Sequence, residues 1–214
     1  MNHPIHKVAL LCCVSACTLL GGSITLGTDT GPNDYPFGST GTEYQEAYAS
    51  SDFSGQISIT GIDFFLQPGT SGTLGGTYTL SLSIIAANID SLSDSDLPSN
   101  RGPDNTEFTS VVLSGAAPSE LTFTGGPFLY NPSLGNLLLD ITITSPSGTA
   151  AFEDGNSSGP AGIVRYYNQE GTSGTTGFGL VTEFDGTTSS VPEPGTLPLL
   201  GCGLVGLLVR RLRR

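Results

Sequence analysis

From Thr77 to Ile85 apolar side chains alternate with hydroxyls: Tyr78, Leu80, Leu82 and Ile84 against Thr79, Ser81 and Ser83. A period of two sends successive side chains to opposite faces of an extended chain, so the run predicts a half-buried strand. The pattern recurs over Leu137–Thr144, with Leu137, Leu139, Ile141 and Ile143 expected inward and Asp140, Thr142 and Thr144 toward water. Shorter runs follow the same logic at Gln56–Thr60, Ile62–Leu66, Phe108–Leu113, Leu121–Thr124, Gly162–Tyr167 and Phe178–Phe184. Turn clusters separate them at Gln67-Pro68-Gly69, Gly75-Gly76, Gly125-Gly126-Pro127, Ser145-Pro146-Ser147-Gly148 and Asp154-Gly155-Asn156. Gly, Ser and Thr make up 80 of the 214 residues, a bias that disfavours helix interiors and suits strands joined by turns. One helical turn is expected near Ile89–Leu97, where Asp90 and Ser93 can cap. Residues 28–55 read as a polar leader. Eight to ten short strands without βαβ spacing predict an all-β fold, an antiparallel β-sandwich or jelly-roll-like domain over residues 28–190.

The net charge is −12, and residues 28–190 hold 18 of the 19 acids against Arg101 and Arg165 alone. Nucleic-acid binding is excluded, because it needs clustered cations to neutralise phosphates. The same stretch contains no His, Lys, Cys, Met or Trp. It therefore lacks the parts for a Ser-His-Asp or Cys-His nucleophile, a His/Cys zinc site, a Schiff-base lysine or a disulfide. Stability has to come from a packed core.

The two ends carry a different composition. Met1–Lys7 has one lysine, Val8–Leu20 is almost wholly apolar, and Gly21, Gly22 and Ser23 follow. This is the order of an export signal, and residues 1–27 are read as that segment. Gly21-x-Ser23 fits a signal peptidase, while Val14-Ser15-Ala16-Cys17 resembles a lipobox in which Cys17 is acylated. At the other end Val191, Pro192, Glu193, Pro194 and Gly195 precede an apolar stretch, Thr196–Val209, and then Arg210, Arg211, Leu212, Arg213 and Arg214. The apolar stretch falls short of the roughly 20 residues that cross a bilayer comfortably, and the arginines favour the cytoplasmic side.

Residues 191–214 resemble the PEP-CTERM sorting signal of Gram-negative bacteria: Pro-Glu-Pro, a short Gly-rich apolar helix and a basic cluster, in that order. The resemblance implies passage through the Sec translocon, processing by an exosortase-type sorting protease, transient or lasting membrane contact through the helix, and release or fixation at the cell surface. It also implies roles: Pro192-Glu193-Pro194 for recognition, the helix for holding the tail in the inner membrane, the arginines for orientation. Gly76–Ser83 and Pro127–Ile141 are similar to passenger regions of such exported proteins, which adds location and no mechanism.

Four chemistries can be posed for the central domain. Asp94, Asp96, Asn100, Asp104 and Glu107 bring oxygen ligands dense enough for Ca²⁺, although the spacing is not that of an EF-hand. Two carboxylates drawn from Asp63, Glu107, Asp140, Glu153 and Glu183 could serve glycoside hydrolysis, if the fold paired them. Tyr44, Tyr48, Tyr78, Tyr130, Tyr166 and Tyr167 could offer flat faces to a sugar. The pairs Thr77/Thr79, Thr122/Thr124 and Thr142/Thr144 have strand spacing of the kind an ice-binding face uses. The expectation is a non-catalytic, acidic protein of the cell surface or extracellular matrix that needs no cofactor. The alternative is a module binding extracellular polysaccharide, with glycoside hydrolase and ice-binding readings behind it.

Overall fold

Antiparallel pairing dominates the computed structural model, which describes residues 19–155, 163–169, 172–176 and 179–189. Twelve strands are present among them. They are β1 (Leu19–Leu26), β2 (Pro32–Asn33), β3 (Glu43–Tyr48), β4 (Ile57–Phe65), β5 (Thr73–Ile85) and β6 (Thr106–Ala116). The rest are β7 (Glu120–Tyr130), β8 (Asn136–Thr144), β9 (Phe152–Glu153), β10 (Ile163–Gln169), β11 (Thr172–Thr176) and β12 (Thr182–Ser189). One sheet has the order β1-β12-β4-β7, a second β11-β10-β3-β8-β5-β6, and β2 pairs with β9. Leu20–Thr188 form one compact unit, a β-sandwich.

The alternation read from the sequence sets the core. Tyr78, Leu80 and Leu82 of β5 and Leu137, Leu139, Ile141 and Ile143 of β8 point between the sheets, where they meet Ile57, Ile59, Ile62 and Phe64 of β4. Phe37 sits among Phe64, Tyr78, Phe123 and Phe152, with ring centroids 4.7–6.0 Å apart, a range in which aromatic pairs add to simple burial.

Several expectations are corrected. The stretch 28–55 is no leader: β3 lies inside the larger sheet between β10 and β8, and Tyr44, Ala47 and Tyr48 are buried. Gln56–Thr60 and Ile62–Leu66 are one strand, β4, with a register shift between Ile59 and Gly61. Gly75-Gly76 and Gly125-Gly126 are not turns but lie within β5 and β7. At Gly125 a Cβ would stand 2.1 Å from the Phe108 carbonyl oxygen, so the glycine admits a neighbouring backbone. The turn expected near Ile89–Leu97 is two 3-10 turns, Ile89–Ser91 and Leu97–Asn100, the first capped by the Asn88 side chain accepting from Asp90 N. Residues 19–26, expected in the export segment, form β1. The rest of that segment, Cys17 included, and the tail from Val191 to Arg214 lie outside the described residues.

The two sheets are joined by a carboxylate. Glu46 on β3 is wholly buried and points into the sandwich beside Tyr44 and Tyr48. Both tyrosine hydroxyls donate to it, Tyr44 to Oε1 and Tyr48 to Oε2. Leu180 N donates to Oε1 at 2.5 Å and Thr182 Oγ1 to Oε2 at 3.1 Å. Burial pushes the Glu46 carboxyl above its ordinary value, and these donors pull the other way. Removing the carboxylate would orphan the buried Leu180 N–H and the Tyr44 hydroxyl, each costing about 1–3 kcal/mol, while the Tyr48 hydroxyl keeps Thr182 Oγ1 at 2.9 Å and Thr182 keeps the Leu180 carbonyl. Glu46→Leu is therefore expected to lower unfolding free energy by about 3 kcal/mol or more, with Glu46→Gln losing less, as read by urea denaturation.

Candidate functional site

Two polar constructions stand out, one on each face of the larger sheet. The outer face carries Glu43, Gln45 and Ala47 of β3 and Leu138, Asp140 and Thr142 of β8. The segment between β5 and β6 folds across it. Ile89 and Leu97 pack there with Ala47, Ile85, Leu138, Val164 and Tyr166 as a second apolar cluster. The cover explains why Asp140 is 2% exposed and not turned to water as its alternation predicted.

Beneath that cover the polar groups are paired. Gln45 Nε2 donates to Asp140 Oδ1 at 2.8 Å and to the Leu97 carbonyl at 2.9 Å. Asn100 Nδ2 donates to Gln45 Oε1 at 2.9 Å. Arg101 Nη2 reaches Asp140 Oδ2 at 2.8 Å and Glu43 Oε1 at 3.0 Å. Gly102 N donates to Ser83 Oγ at 3.0 Å, and Asp104 Oδ1 accepts from Ile84 N at 2.9 Å. A side chain at Gly102 would strike the Ile84 carbonyl, with Cβ 2.1 Å from its oxygen.

This clamp engages two of the proposed calcium ligands. Asn100 and Asp104 are turned to the sheet as hydrogen-bond partners, Asp94 and Asp96 lie exposed in the covering segment, and Glu107 is exposed on β6. Among the described residues no three His, Cys, Asp or Glu side chains form a group that could hold a metal.

Of the carboxylates considered for hydrolysis, the fold brings Asp63 and Glu183 side by side and engages Asp140 elsewhere. Asp140 is bound to Arg101. Asp63 and Glu183 are cross-strand partners on β4 and β12. There Asp63 Oδ1 is buried without a hydrogen-bond partner, and Thr25 Oγ1 donates to Glu183 Oε2 at 2.6 Å. Asp185 and Glu120 lie near enough to reinforce the upward shift that burial gives Asp63. The outer face of the smaller sheet is thus acidic. Thr77 and Thr144 face each other across β5 and β8, as do Thr79 and Thr142. Thr122 instead lies opposite Asp63 in the other sheet, so the three threonine pairs do not share one surface.

The second construction lies at the inner side of β10. Tyr44, Tyr48, Tyr78, Tyr130 and Tyr166 are at most 1% exposed; they are core groups and offer no face to a ligand. Burial pushes the Tyr78 hydroxyl up to about 12. Tyr167 alone of the six is half-buried, and it packs on Tyr35 at 4.8 Å. Arg165 lies 5.0 Å from the Tyr35 ring centroid and 5.1 Å from that of Tyr167, within cation–π range. Its Nη1 donates to Asn33 Oδ1 at 2.8 Å. Pro32, Asn33, Asp34, Tyr35, Asp154 and Arg165 line an open recess of about 310 Å³. The sequence signal for it was Arg165 itself, one of two cations in a stretch of 18 acids.

By fold this is an antiparallel β-sandwich protein. The family model of the PEP-CTERM protein-sorting motif matches residues 190–214, so the chain carries that sorting motif at its C-terminal end. That signal implies export and exosortase-dependent sorting toward the cell surface or extracellular space. No curated protein and no solved structure gives a significant match to the chain. Among the described residues no helix is long and apolar enough to cross a membrane; the apolar stretch at Thr196–Val209 lies outside them.

The acids also fix a pH response. Burial raises Glu43, Glu46, Asp63 and Asp140 above their ordinary values, with Asp140 adding to the shift at Glu43. A raised carboxyl binds its proton more tightly in the folded state, so its contribution to stability is complete below the ordinary value. It is lost as pH rises through the folded-state value. The melting temperature is expected to be higher near pH ~4.5 than near pH ~7.5, opposite to the usual behaviour of ion-paired carboxylates. Arg101→Ala, which leaves Glu43 and Asp140 without their cation, should steepen that decline, as read by calorimetry across pH.

Proposed function

We propose that this protein is a non-catalytic component of the cell surface or extracellular matrix, delivered there by its C-terminal signal. The match of residues 190–214 to the sorting motif carries the reading. The character of the sandwich supports it. Glu46, Asp104 and Asp140 serve as structural partners, and Glu120, Glu183 and Asp185 make the outer face of the smaller sheet anionic. An anionic face gathers divalent cations loosely, and such cations can bridge it to acidic polymer. The sorting protease acts on Pro192-Glu193-Pro194, the apolar segment holds the tail meanwhile, and the arginines orient it. The test compares wild-type cells with cells lacking the exosortase. The protein should be outside and trimmed near Pro192–Pro194 in the first, and membrane-held with its full tail in the second. An intact, membrane-bound tail in both would remove the reading.

A second reading has its own observation. The recess beside Arg165 combines a half-exposed tyrosine with Asn, Asp and Arg groups, the side chains that hydrogen-bond sugar hydroxyls while an aromatic ring takes the apolar face. In this reading the recess takes one residue of an extracellular polysaccharide. Asp34 is exposed, so Asp34→Ala should leave the melting temperature unchanged while weakening retention on the host's exopolymer at least about tenfold, roughly one charged hydrogen bond. Equal retention of both proteins would count against sugar binding at this place.

A further inference from the structure

The export signal admits more than one processing point, and β1 separates them. Gly21-x-Ser23 and Val14-x-Ala16 both place small or compact residues at the two positions a leader peptidase reads. A boundary at residue 27 would follow the polar turn. These choices differ in how much of β1 survives.

The fold uses that strand. β1 is the outer strand of the smaller sheet, paired to β12. Leu26 is buried in the main core, and Ile24 packs against it. Thr25 Oγ1 donates to Glu183 Oε2 at 2.6 Å. Immediately after the strand, Thr28 N donates to the Gly155 carbonyl and Thr30 N to that of Asp154, each at 3.0 Å. Gly27 makes the exit possible: its φ is +93°, and a Cβ there would stand 2.8 Å from Gly155 Cα. A glycine placed so closely against a distant backbone belongs to the folded domain and not to a discarded leader.

Cleavage after Gly27 would delete β1 and expose the backbone edge of β12 to solvent and to other chains. Cleavage after Ser23 would leave Ile24–Leu26 of the eight-residue strand and place a new ammonium on a residue packed against the core. Cleavage after Ala16 keeps all of β1 and still leaves an apolar run, Val8–Val14, of the length a leader needs.

We propose that the exported chain is cut between Ala16 and Cys17, so that the mature protein begins two residues ahead of β1 and keeps that strand as part of its sheet. Water adds across the Ala16–Cys17 amide, leaving a carboxylate on Ala16 and an α-amine on Cys17. The inference rests on the export reading above. The test is mass spectrometry of the N-terminal peptide of the protein exported by its host, with Ala16→Leu and Ser23→Leu variants beside it. The expected N-terminus is Cys17, and a diacylglyceryl thioether on that residue supports the same position. Ala16→Leu should accumulate uncut precursor at least tenfold, while Ser23→Leu should be processed as the wild type is. An exported chain beginning at Ile24 or Thr28, or a block at Ser23→Leu with normal cutting of Ala16→Leu, overturns this proposal and leaves export standing. An uncut chain held inside the cell overturns both.

Discussion

A single ionisable side chain ties the two layers of the sandwich together. Glu46 stands on β3 of the larger sheet and accepts from Leu180 and Thr182, which lead into β12 of the smaller one. A carboxylate inside a hydrophobic core is costly unless its oxygens are satisfied. Here the strand supplies its own solution. Tyr44 and Tyr48 are two residues away on either side, and the pleat brings all three to one face. The same tyrosines belong to the core, Tyr48 with its ring edge-on to Phe184. Apolar packing and polar satisfaction are therefore met by the same groups, and the geometry fixes how β12 approaches β3.

The outer face of the larger sheet solves a related problem by another means. A six-stranded sheet buried on one side would leave Gln45, Leu138 and Asp140 facing water. The segment from Asn88 to Asp104 lies over them, anchored by Ile89 and Leu97 among apolar side chains and by Arg101 between two carboxylates. Asn100 and Gln45 complete the lattice beneath. Of the two cations in the central stretch, this one stabilises a covering segment. The other, Arg165, lies beside the packed rings of Tyr35 and Tyr167 and lines the recess. In a chain so acidic, the positions of its few cations mark where distant segments are brought together.

Where period-two alternation was strong, the strands and their inward faces were legible: β5 and β8 carry their core residues as the pattern dictates. Legibility failed where a residue's environment depends on segments far away in sequence. Asp140 alternates as a solvent residue and is buried because the β5–β6 segment covers it. Glu43–Tyr48 reads as polar because Glu46 is a charge, yet it is an inner strand of the sheet. Gly125 and Gly126 read as a turn because the sequence alone does not show the Phe108 backbone crossing beside them. Five of the six tyrosines counted as ligand faces were placed in the core by the same strand pattern, and Tyr167 alone is half-buried. The recess was missed because Asn33, Tyr35, Asp154 and Arg165 come from parts of the chain that share no local pattern.

Address and class are written locally along the chain. Composition excluded whole chemistries, alternation specified antiparallel strands, and the Pro-Glu-Pro, apolar and arginine segments specified sorting, because each of these signals is local and is read in order along the chain. Tertiary structure decided which polar groups are partners and which are surface, that residues 19–26 belong to the sheet, and where a recess opens. Those outcomes depend on pairings between residues such as Thr25 with Glu183, Glu46 with Leu180, and Asn33 with Arg165. Such pairings are fixed by strand order and register, which a single chain's local pattern does not encode.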